Sequence, residues 1–307
     1  MVWFSRKDKA PGRAPSSLAG PAPLNGRYRL GGRLGEGAAS QVVEAVDMRT
    51  GATVAVKLIR LPHDQLPAQR KDWTSRLRRE ISLARRLDHP DIVRLLDASI
   101  ETDLAWLVME HVRGADLTRY TQPRRLLPDN LVVQIGARVA SALAHAHAHG
   151  VVHRDLKPAN VLVNLAAGQV KLADFGVARV DDAAATRTGM TLGTPAYMAP
   201  EQLAGQPASP ASDAYALGVV LFEMFAGRRP HEASTLGELL RVTASQPPAN
   251  LAALRPDLPP TVTQAVHHLL AADPANRPGD LAAWADRAAA LAAVMTRVLA
   301  PTGSPSH

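Results

Sequence analysis

The sequence predicts an α+β fold in which β-strands come first and helices follow. Between residues 27 and 109 the chain has short strand-like runs separated by glycine-bearing turns, with one segment of helical periodicity among them. From Pro128 onwards apolar residues recur at three- and four-residue intervals, which indicates helices that pack against one another. Residues 152–178 interrupt this pattern with two polar loops around a short hairpin.

Composition places the chain among ordinary globular proteins. Its 307 residues can form one large domain or two small ones, and 46% of them are hydrophobic. The absence of cysteine excludes disulfides, thiolate metal sites and cysteine nucleophiles. No run of 18 or more uncharged apolar residues and no secretion signal occurs, so we expect a soluble, cytoplasmic protein.

The net charge of +7 leaves several partners open. Arginine-rich, solvated helix faces explain it most simply. An acidic protein or a phosphate-bearing partner suits the charge as well, whereas nucleic acid and anionic membranes have no supporting motif. Residues 1–25 and 300–307 are predicted to be disordered tails, the first of them basic and proline-rich. A docking motif is the alternative for the apolar start Met1–Phe4.

The first strands surround a glycine-bearing turn and lead to a lysine. The turn lies in residues 34–42, and its glycines let a backbone approach a ligand's phosphates closely. After a second turn at residues 49–51, Val54–Lys57 reads as a strand. Lys57 is either a surface lysine or, as the pattern and its spacing from Val42 favour, a residue that contacts those phosphates.

Helices and strands alternate in the next hundred residues. A helix is predicted over residues 68–87, with Leu77, Ile81 and Ala84 on its apolar face. Strands are predicted at residues 93–96 and 104–109.

A long helix is predicted from Pro128–Asp129 to Gly150. Its His145 and His149, four residues apart, could chelate a metal, but no further ligand is evident and structural histidines are expected.

The two loops hold the side chains that phosphoryl transfer needs. Asp155 can receive a hydroxyl proton, Lys157 can neutralise a moving phosphoryl group, and Asn160 and Asp174 offer the oxygens that Mg²⁺ prefers. Asp174 follows Asp155 by 19 positions, with the hairpin 161–172 between them. This order and spacing resemble the catalytic and metal-binding loops of the eukaryotic-like (Hanks-type) serine/threonine protein kinases of bacteria.

The resemblance covers Arg27 to Leu299 and implies the bilobal protein kinase fold. Residues 26–299 would form the kinase domain. Its small lobe, residues 26–111, would be an antiparallel five-stranded sheet with one helix, and its large lobe, residues 115–299, would be mainly helical. ATP with Mg²⁺ or Mn²⁺ would bind in the cleft between the lobes.

The resemblance also implies residue roles. Lys57, held by Glu80, would anchor the α/β-phosphates, and Thr194 would shape the acceptor site beside Asp155 and Lys157. Glu80 is otherwise a surface partner of Arg76, one helical turn away. The residues implied at the nucleotide are Leu34, Gly35, Glu36, Gly37, Ala38, Ala39, Ser40, Gln41, Val42, Ala55, Lys57, Met109, Glu110, Val112 and Leu162.

Further residues would support the site rather than act in it. They are His153, Arg154, Phe175, Glu201, Asp213 and Arg277. Glu201 and Arg277 would form a buried ion pair, and Asp213 would cap its helix and hold the catalytic loop. Ser40 replaces the third glycine of the family's glycine-rich loop, which makes that loop less free to flex.

The implied function is phosphorylation of serine and threonine hydroxyls in proteins, because Lys157 two residues after Asp155 is the serine/threonine pattern. Thr186, Thr188 and Thr191 would be autophosphorylation sites, unless they belong to a merely flexible polar loop. The partners implied are protein substrates and a homodimer for trans-autophosphorylation, with no nucleic acid and no membrane span. The rival reading is a pseudokinase scaffold, although such proteins usually lack the Lys57, Asp155 or Asp174 type of residue.

Overall fold

The computed structural model describes residues 22–37, 40–60, 67–175 and 195–299, which form a β-rich small lobe and a helical large lobe. The expected α+β architecture with two lobes is confirmed. Most of residues 1–25 and all of residues 300–307, for which disorder was predicted, lie outside the described residues.

The small lobe is a five-stranded antiparallel sheet with one helix. Its strands lie in the order β1-β2-β3-β5-β4. The elements are β1 Tyr28–Glu36, β2 Ser40–Asp47, β3 Thr53–Arg60, helix α1 Pro67–Ala84, β4 Leu95–Ile100 and β5 Leu104–Glu110. Their order is as predicted, although α1 ends three residues earlier and β4 begins two residues later than the sequence indicated.

Helix α1 packs on this sheet through its predicted apolar stripe. Trp73, Leu77 and Ile81 are buried against Ile59 and Leu107. Because a buried leucine replaced by alanine typically costs about 2–5 kcal/mol, this contact contributes substantially to holding the helix in place.

The large lobe is built from seven helices among the described residues. They are α2 Asp129–Ala148, α3 Pro200–Leu203, α4 Pro210–Ala226, α5 Leu236–Ser245, α6 Leu251–Leu254, α7 Pro260–Leu269 and α8 Leu281–Leu299. Short 3₁₀ turns occur at Leu117–Tyr120, Pro158–Asn160, Pro195–Tyr197 and Pro274–Asn276. No helix in the described ranges is both long enough and apolar enough to cross a bilayer, and the alanine-rich α8 packs on α2.

Helix α4 runs through the centre of the large lobe. Ser209 caps it by accepting a hydrogen bond from the amide of Ser212, and Pro210 occupies the first helical position. Gly227, at φ 66°, ends the helix in the left-handed conformation that suits glycine. The expectation that Asp213 caps the helix was therefore wrong: it lies inside the first turn, and its side chain bonds elsewhere.

A second, three-stranded sheet carries the two polar loops. It consists of β6 Ala115–Asp116, β7 Val161–Asn164 and β8 Gln169–Leu172, paired in that order. Gly168, at φ 59°, closes the predicted β7–β8 hairpin. This hairpin places the loop before β7 and the loop after β8 at the same edge of the lobe.

Candidate active site

Asp213 anchors the loop that precedes β7. Its carboxylate is 1% exposed and accepts hydrogen bonds from the amides of His153 (2.8 Å) and Arg154 (2.9 Å), and it contacts His147 Nε2 at 2.8 Å. Arg154 has a φ of 68°, a region that non-glycine residues occupy only when their surroundings enforce it. The buried carboxylate thus holds the backbone turn that presents Asp155.

Asp155, Lys157 and Asn160 meet at one point of this loop. Lys157 Nζ lies 2.7 Å from Asp155 Oδ2, and Asn160 donates through Nδ2 to the carbonyl oxygen of Asp155 at 2.8 Å. The 3₁₀ turn Pro158–Asn160 brings the asparagine back towards the aspartate. A carboxylate and an ammonium group are therefore held side by side at the edge of the cleft.

The loop after β8 places Asp174 opposite this group. Its φ is 65°, another enforced left-handed backbone, and Ala173 donates its amide to the carbonyl of Asn160 at 2.8 Å. Beside Asp174, His153 Nε2 lies 2.9 Å from the carbonyl oxygen of Ala173. The His153 ring packs edge to face on Phe175, with 4.7 Å between the ring centroids. These contacts join the two loops directly.

Lys57 reaches the site from β3. Its ammonium lies 2.8 Å from Asp174 Oδ1, and the two side chains are 1% and 6% exposed. A buried ion pair of this kind is costly to break because the remaining charge would lack a partner. The structure thus brings the four groups on residues 57, 155, 160 and 174 to one cleft, as the sequence indicated.

Glu80 does not pair with Lys57, contrary to the expectation from the sequence. Glu80 Oε1 lies 3.8 Å from Arg154 Nη1, while its Oε2 is buried without a hydrogen-bond partner. Burial raises the pKa of Glu80 to about 6, although the charges of Arg154, Arg76 and Lys57 act in the opposite direction. The partner of Lys57 is Asp174. Arg76 pairs with Asp72. The alternative expectation, a surface ion pair between Glu80 and Arg76, is therefore not seen either.

The apolar residues expected around an adenine ring form one cluster. Val42, Ala55, Met109, Val112 and Leu162 are buried together, with Leu34 beside them. Ala173 belongs to the same cluster and was missed, although its place directly before Asp174 was the signal that could have identified it. In the glycine-bearing turn, Gly37 donates its amide to the carbonyl of Ser40 at 2.7 Å, and residues 38 and 39 lie outside the described part.

A buried lysine that the sequence did not single out links the two lobes. Lys171 of β8 is 9% exposed and donates to a carboxylate oxygen of Glu110 at 2.6 Å and to the carbonyl of Ile92 at 3.2 Å. Glu110 also accepts the amide of Arg94 at 2.8 Å. Lys171 therefore connects the end of β5 to the strand that leads to Asp174.

The expected pair of Glu201 and Arg277 is present in the large lobe. Arg277 Nη1 and Nη2 reach the two carboxylate oxygens of Glu201 at 2.7 and 2.8 Å. Burial alone would raise the pKa of Glu201, but the hydrogen bonds from Arg277 and Ser212 hold it below its usual value. Arg277 is fully buried and also donates to three backbone carbonyls, so the pair organises the surrounding loops.

Thr194 and the three candidate phosphorylation sites Thr186, Thr188 and Thr191 lie outside the described residues.

The residues at the cleft fit a divalent cation. Asn160 Oδ1 is buried and has no hydrogen-bond partner, while the amide nitrogen of the same side chain is satisfied. An orphaned buried oxygen of this kind costs free energy unless a ligand takes it, and carbonyl and carboxylate oxygens are the donors that Mg²⁺ and Mn²⁺ accept. The Asp174 carboxylate across the cleft supplies the second such donor.

Comparison with known proteins identifies the family of this chain. The family model described as protein kinase domain matches residues 28–289. Serine/threonine-protein kinase PknA of Mycobacterium tuberculosis is 39% identical over 276 residues, which cover 88% of this chain and 62% of that protein. PrkC of Bacillus subtilis is 35% identical over 83% of this chain and 39% of its own length. The chain thus spans less than two thirds of these relatives.

Solved structures show the same architecture. The crystal structure of the Mycobacterium tuberculosis PknI kinase domain superposes with a TM-score of 0.66 and 30% sequence identity. The match covers 88% of this chain and 98% of that domain.

Proposed function

This chain belongs to the protein kinase family, in its bacterial Hanks-type branch, and from that premise we propose that it transfers the γ-phosphoryl group of ATP to serine and threonine hydroxyls of proteins. The observation that carries the proposal is the arrangement of Asp155. Its carboxylate lies 2.7 Å from Lys157 and faces the cleft that Lys57 and Asp174 line. The retention of all these groups argues against a pseudokinase scaffold.

In the proposed reaction Asp155 accepts the proton of the substrate hydroxyl. The hydroxyl oxygen bonds to the γ-phosphorus while the bond from that phosphorus to the β,γ-bridging oxygen breaks, and ADP leaves. Lys157 neutralises negative charge on the transferred group, and the ammonium of Lys57 binds the α- and β-phosphates. Because the protein performs little covalent chemistry itself, most of the rate comes from positioning and electrostatic stabilisation.

Asn160 and Asp174 would hold the metal ion, for which Mg²⁺ is proposed and Mn²⁺ is the alternative. Bound there, it would neutralise phosphate charge and hold the phosphates in line. The orphaned Oδ1 of Asn160 supports this assignment.

We propose that the described arrangement of α1 precedes activation. In the active enzyme Glu80 would leave Arg154 and pair with Lys57, which would free Asp174 for the metal. Arg154, whose side chain is 44% exposed, would then receive a phosphate on Thr186, Thr188 or Thr191, placed there by a second copy of the enzyme. Intact-mass spectrometry after incubation with Mg-ATP tests this, and an unchanged mass contradicts it.

The partners proposed are proteins that present serine or threonine, and the location proposed is the cytoplasm. ATP as the phosphoryl donor and a cysteine-free sequence support that location.

Transfer of ³²P from [γ-³²P]ATP to a generic basic protein tests the proposed activity. We expect the wild type to label it and Asp155→Asn to be about 1,000-fold slower, since proton transfer by a positioned group contributes ~10²–10⁴-fold. Asp72→Asn on the exposed face of α1 is the matched control and should keep wild-type activity. A wild type no faster than Asp155→Asn would favour the scaffold.

A further inference from the structure

A cavity of about 560 Å³ opens in the large lobe between α2, α4, α7 and α8. None of its lining residues belongs to the proposed active site, and the cavity beside Lys57 has only about 40 Å³. Pockets that take small molecules have volumes of roughly 300–1,000 Å³ and mostly apolar walls with a few polar groups. This cavity is in that range, so its lining decides what it can bind.

The floor of the cavity is apolar. It is formed by Leu221 and Phe225 of α4, Val266 of α7, and Trp284 and Ala288 of α8, all of them buried in the lobe. A ligand that fills this floor must present hydrocarbon, because an unpaired polar group placed there would lose its hydrogen bonds to water.

The mouth of the cavity is polar and elongated. Thr261, Gln264 and His268 line it at intervals of three and four residues along one face of α7. The seven steps from Thr261 to His268 span about 10 Å at 1.5 Å per residue, so the opening suits an extended chain better than a compact ring. On the facing helix, Arg287 lies at the same opening.

Arg287 supplies a charge with no partner among the described residues. Neither its side chain nor that of His268 makes a hydrogen bond or an ion pair with another described side chain. A guanidinium group pairs preferentially with a carboxylate or a phosphate. A ligand complementary to the whole cavity therefore has a straight hydrocarbon chain that ends in an anion.

We propose that this cavity binds a free, straight-chain fatty carboxylate with its chain between α4 and α8 and its carboxylate on Arg287. Twelve carbons, at about 30 Å³ each if a methylene takes the space of a water molecule, would occupy about 360 Å³ of the cavity.

The terminal segments of the chain itself would fit the cavity less well than a fatty carboxylate. Residues 300–307 have no large apolar side chain, and Trp3–Phe4 are followed by Arg6, Lys7 and Lys9, which would bring like charge to Arg287.

Calorimetric titration of the full chain with octanoate, decanoate and dodecanoate, each below its micellar concentration, tests the proposal. We expect saturable one-to-one binding that tightens about fourfold per added methylene. Arg287→Gln should weaken dodecanoate binding about tenfold and leave the binding of 1-dodecanol unchanged. Arg297→Gln, on the same helix and away from the cavity, is the matched control and should bind like the wild type.

Two filling variants test the site itself. Ala265→Phe and Ala288→Leu place carbon in the cavity and should abolish binding without lowering the thermal unfolding midpoint. The proposal is wrong if neither the wild type nor Trp3→Ser/Phe4→Ser binds dodecanoate. It is also wrong if only Trp3→Ser/Phe4→Ser binds, because the N-terminal segment would then be the occupant. Unchanged binding in a folded Ala265→Phe protein, or equal losses in Arg287→Gln and Arg297→Gln, would overturn it too.

Discussion

The catalytic loop in the large lobe and helix α1 in the small lobe differ in how completely their expected contacts are made. Around the loop, Asp213 binds two backbone amides within 2.9 Å and Lys157 lies 2.7 Å from Asp155. On α1, Glu80 has one distant cationic neighbour at 3.8 Å and one unpartnered oxygen. The catalytic loop makes its expected contacts, whereas the expected contact between Glu80 and Lys57 is not made.

The difference follows from where each region is anchored. The catalytic loop is hydrogen-bonded to Asp213 of the buried helix α4, so displacing the loop would take two backbone donors from a buried carboxylate. Helix α1 is anchored to the sheet by apolar contacts. Because such contacts are not directional, sliding along that face costs less than breaking a buried polar network. A regulated enzyme can therefore keep its chemistry assembled and control only the helix.

Among the residues that support the site, the largest effect on the rate is expected from Asp213→Asn, which removes the anchor of the catalytic loop. The amide has the same shape but turns a donor towards one of the backbone amides. We expect kcat to fall at least 100-fold and the free energy of unfolding to fall by about 2–4 kcal/mol. Steady-state kinetics and urea denaturation measure the two effects, with the exposed Asp286→Asn as control. A wild-type kcat in Asp213→Asn would show that the catalytic loop keeps its conformation without the Asp213 carboxylate.

The next effect concerns the ion pair between Glu201 and Arg277 in the large lobe. Arg277→Met leaves Glu201 buried without its partner, and we expect a loss of about 3–5 kcal/mol in the free energy of unfolding. The matched control is Arg228→Met, which breaks an exposed pair with Glu232 and should cost less than about 1 kcal/mol. Equal losses in the two variants, measured by urea denaturation, would remove the distinction between the buried and the exposed pair.

A smaller, opposite effect is expected from releasing α1. In a Thr186→Ala/Thr188→Ala/Thr191→Ala background, which prevents phosphorylation at these sites, Arg154→Gln removes the cation that attracts Glu80. Because this pair is long and partly exposed, we expect the initial rate to rise only about two- to fivefold. Arg154→Lys keeps the charge and should not raise the rate. A lower rate in Arg154→Gln than in Arg154→Lys would mean that the pair does not restrain the helix.

The smallest effect is a pH dependence of stability. The pKa of Glu80 is raised to about 6 in the folded protein from 4.5, so the native state binds a proton more tightly than the unfolded chain between these values. The free energy of unfolding should therefore fall as the pH rises from 4.5 to 6. Glu80→Gln should remove that fall and be more stable than the wild type at pH 7 by about 1 kcal/mol, after allowance for solvent screening. Parallel urea titrations from pH 4.5 to 7 measure it, and a constant difference between the two proteins would contradict it.

Elements whose own sequence contains turn residues, cap residues or a clear periodicity were predicted well. The β7–β8 hairpin and the long helix α2 lie where glycine, proline and periodicity placed them, since turn and cap residues act on their own neighbours. Strand β6 and helices α3 and α6, with two to four residues each, were missed because such short elements have no periodicity of their own. Their formation depends on contacts with distant parts of the chain.

Within the site, the sequence identified the groups but not all of their partners. Motif spacing located Asp155, Asn160 and Asp174 because these residues lie on short, adjacent loops. The partner of Glu80 depends on the position of α1 relative to the large lobe, which no local pattern encodes. Lys171 was missed for a related reason: in a strand of alternating residues it reads as solvent-facing, but the segment before β4 covers it.

The bond between Lys171 and Glu110 joins the two lobes beside the cleft. It ties the end of β5 to β8, the strand that leads into Asp174, so the residues expected around the adenine ring and the carboxylate proposed for the metal are connected through one ion pair.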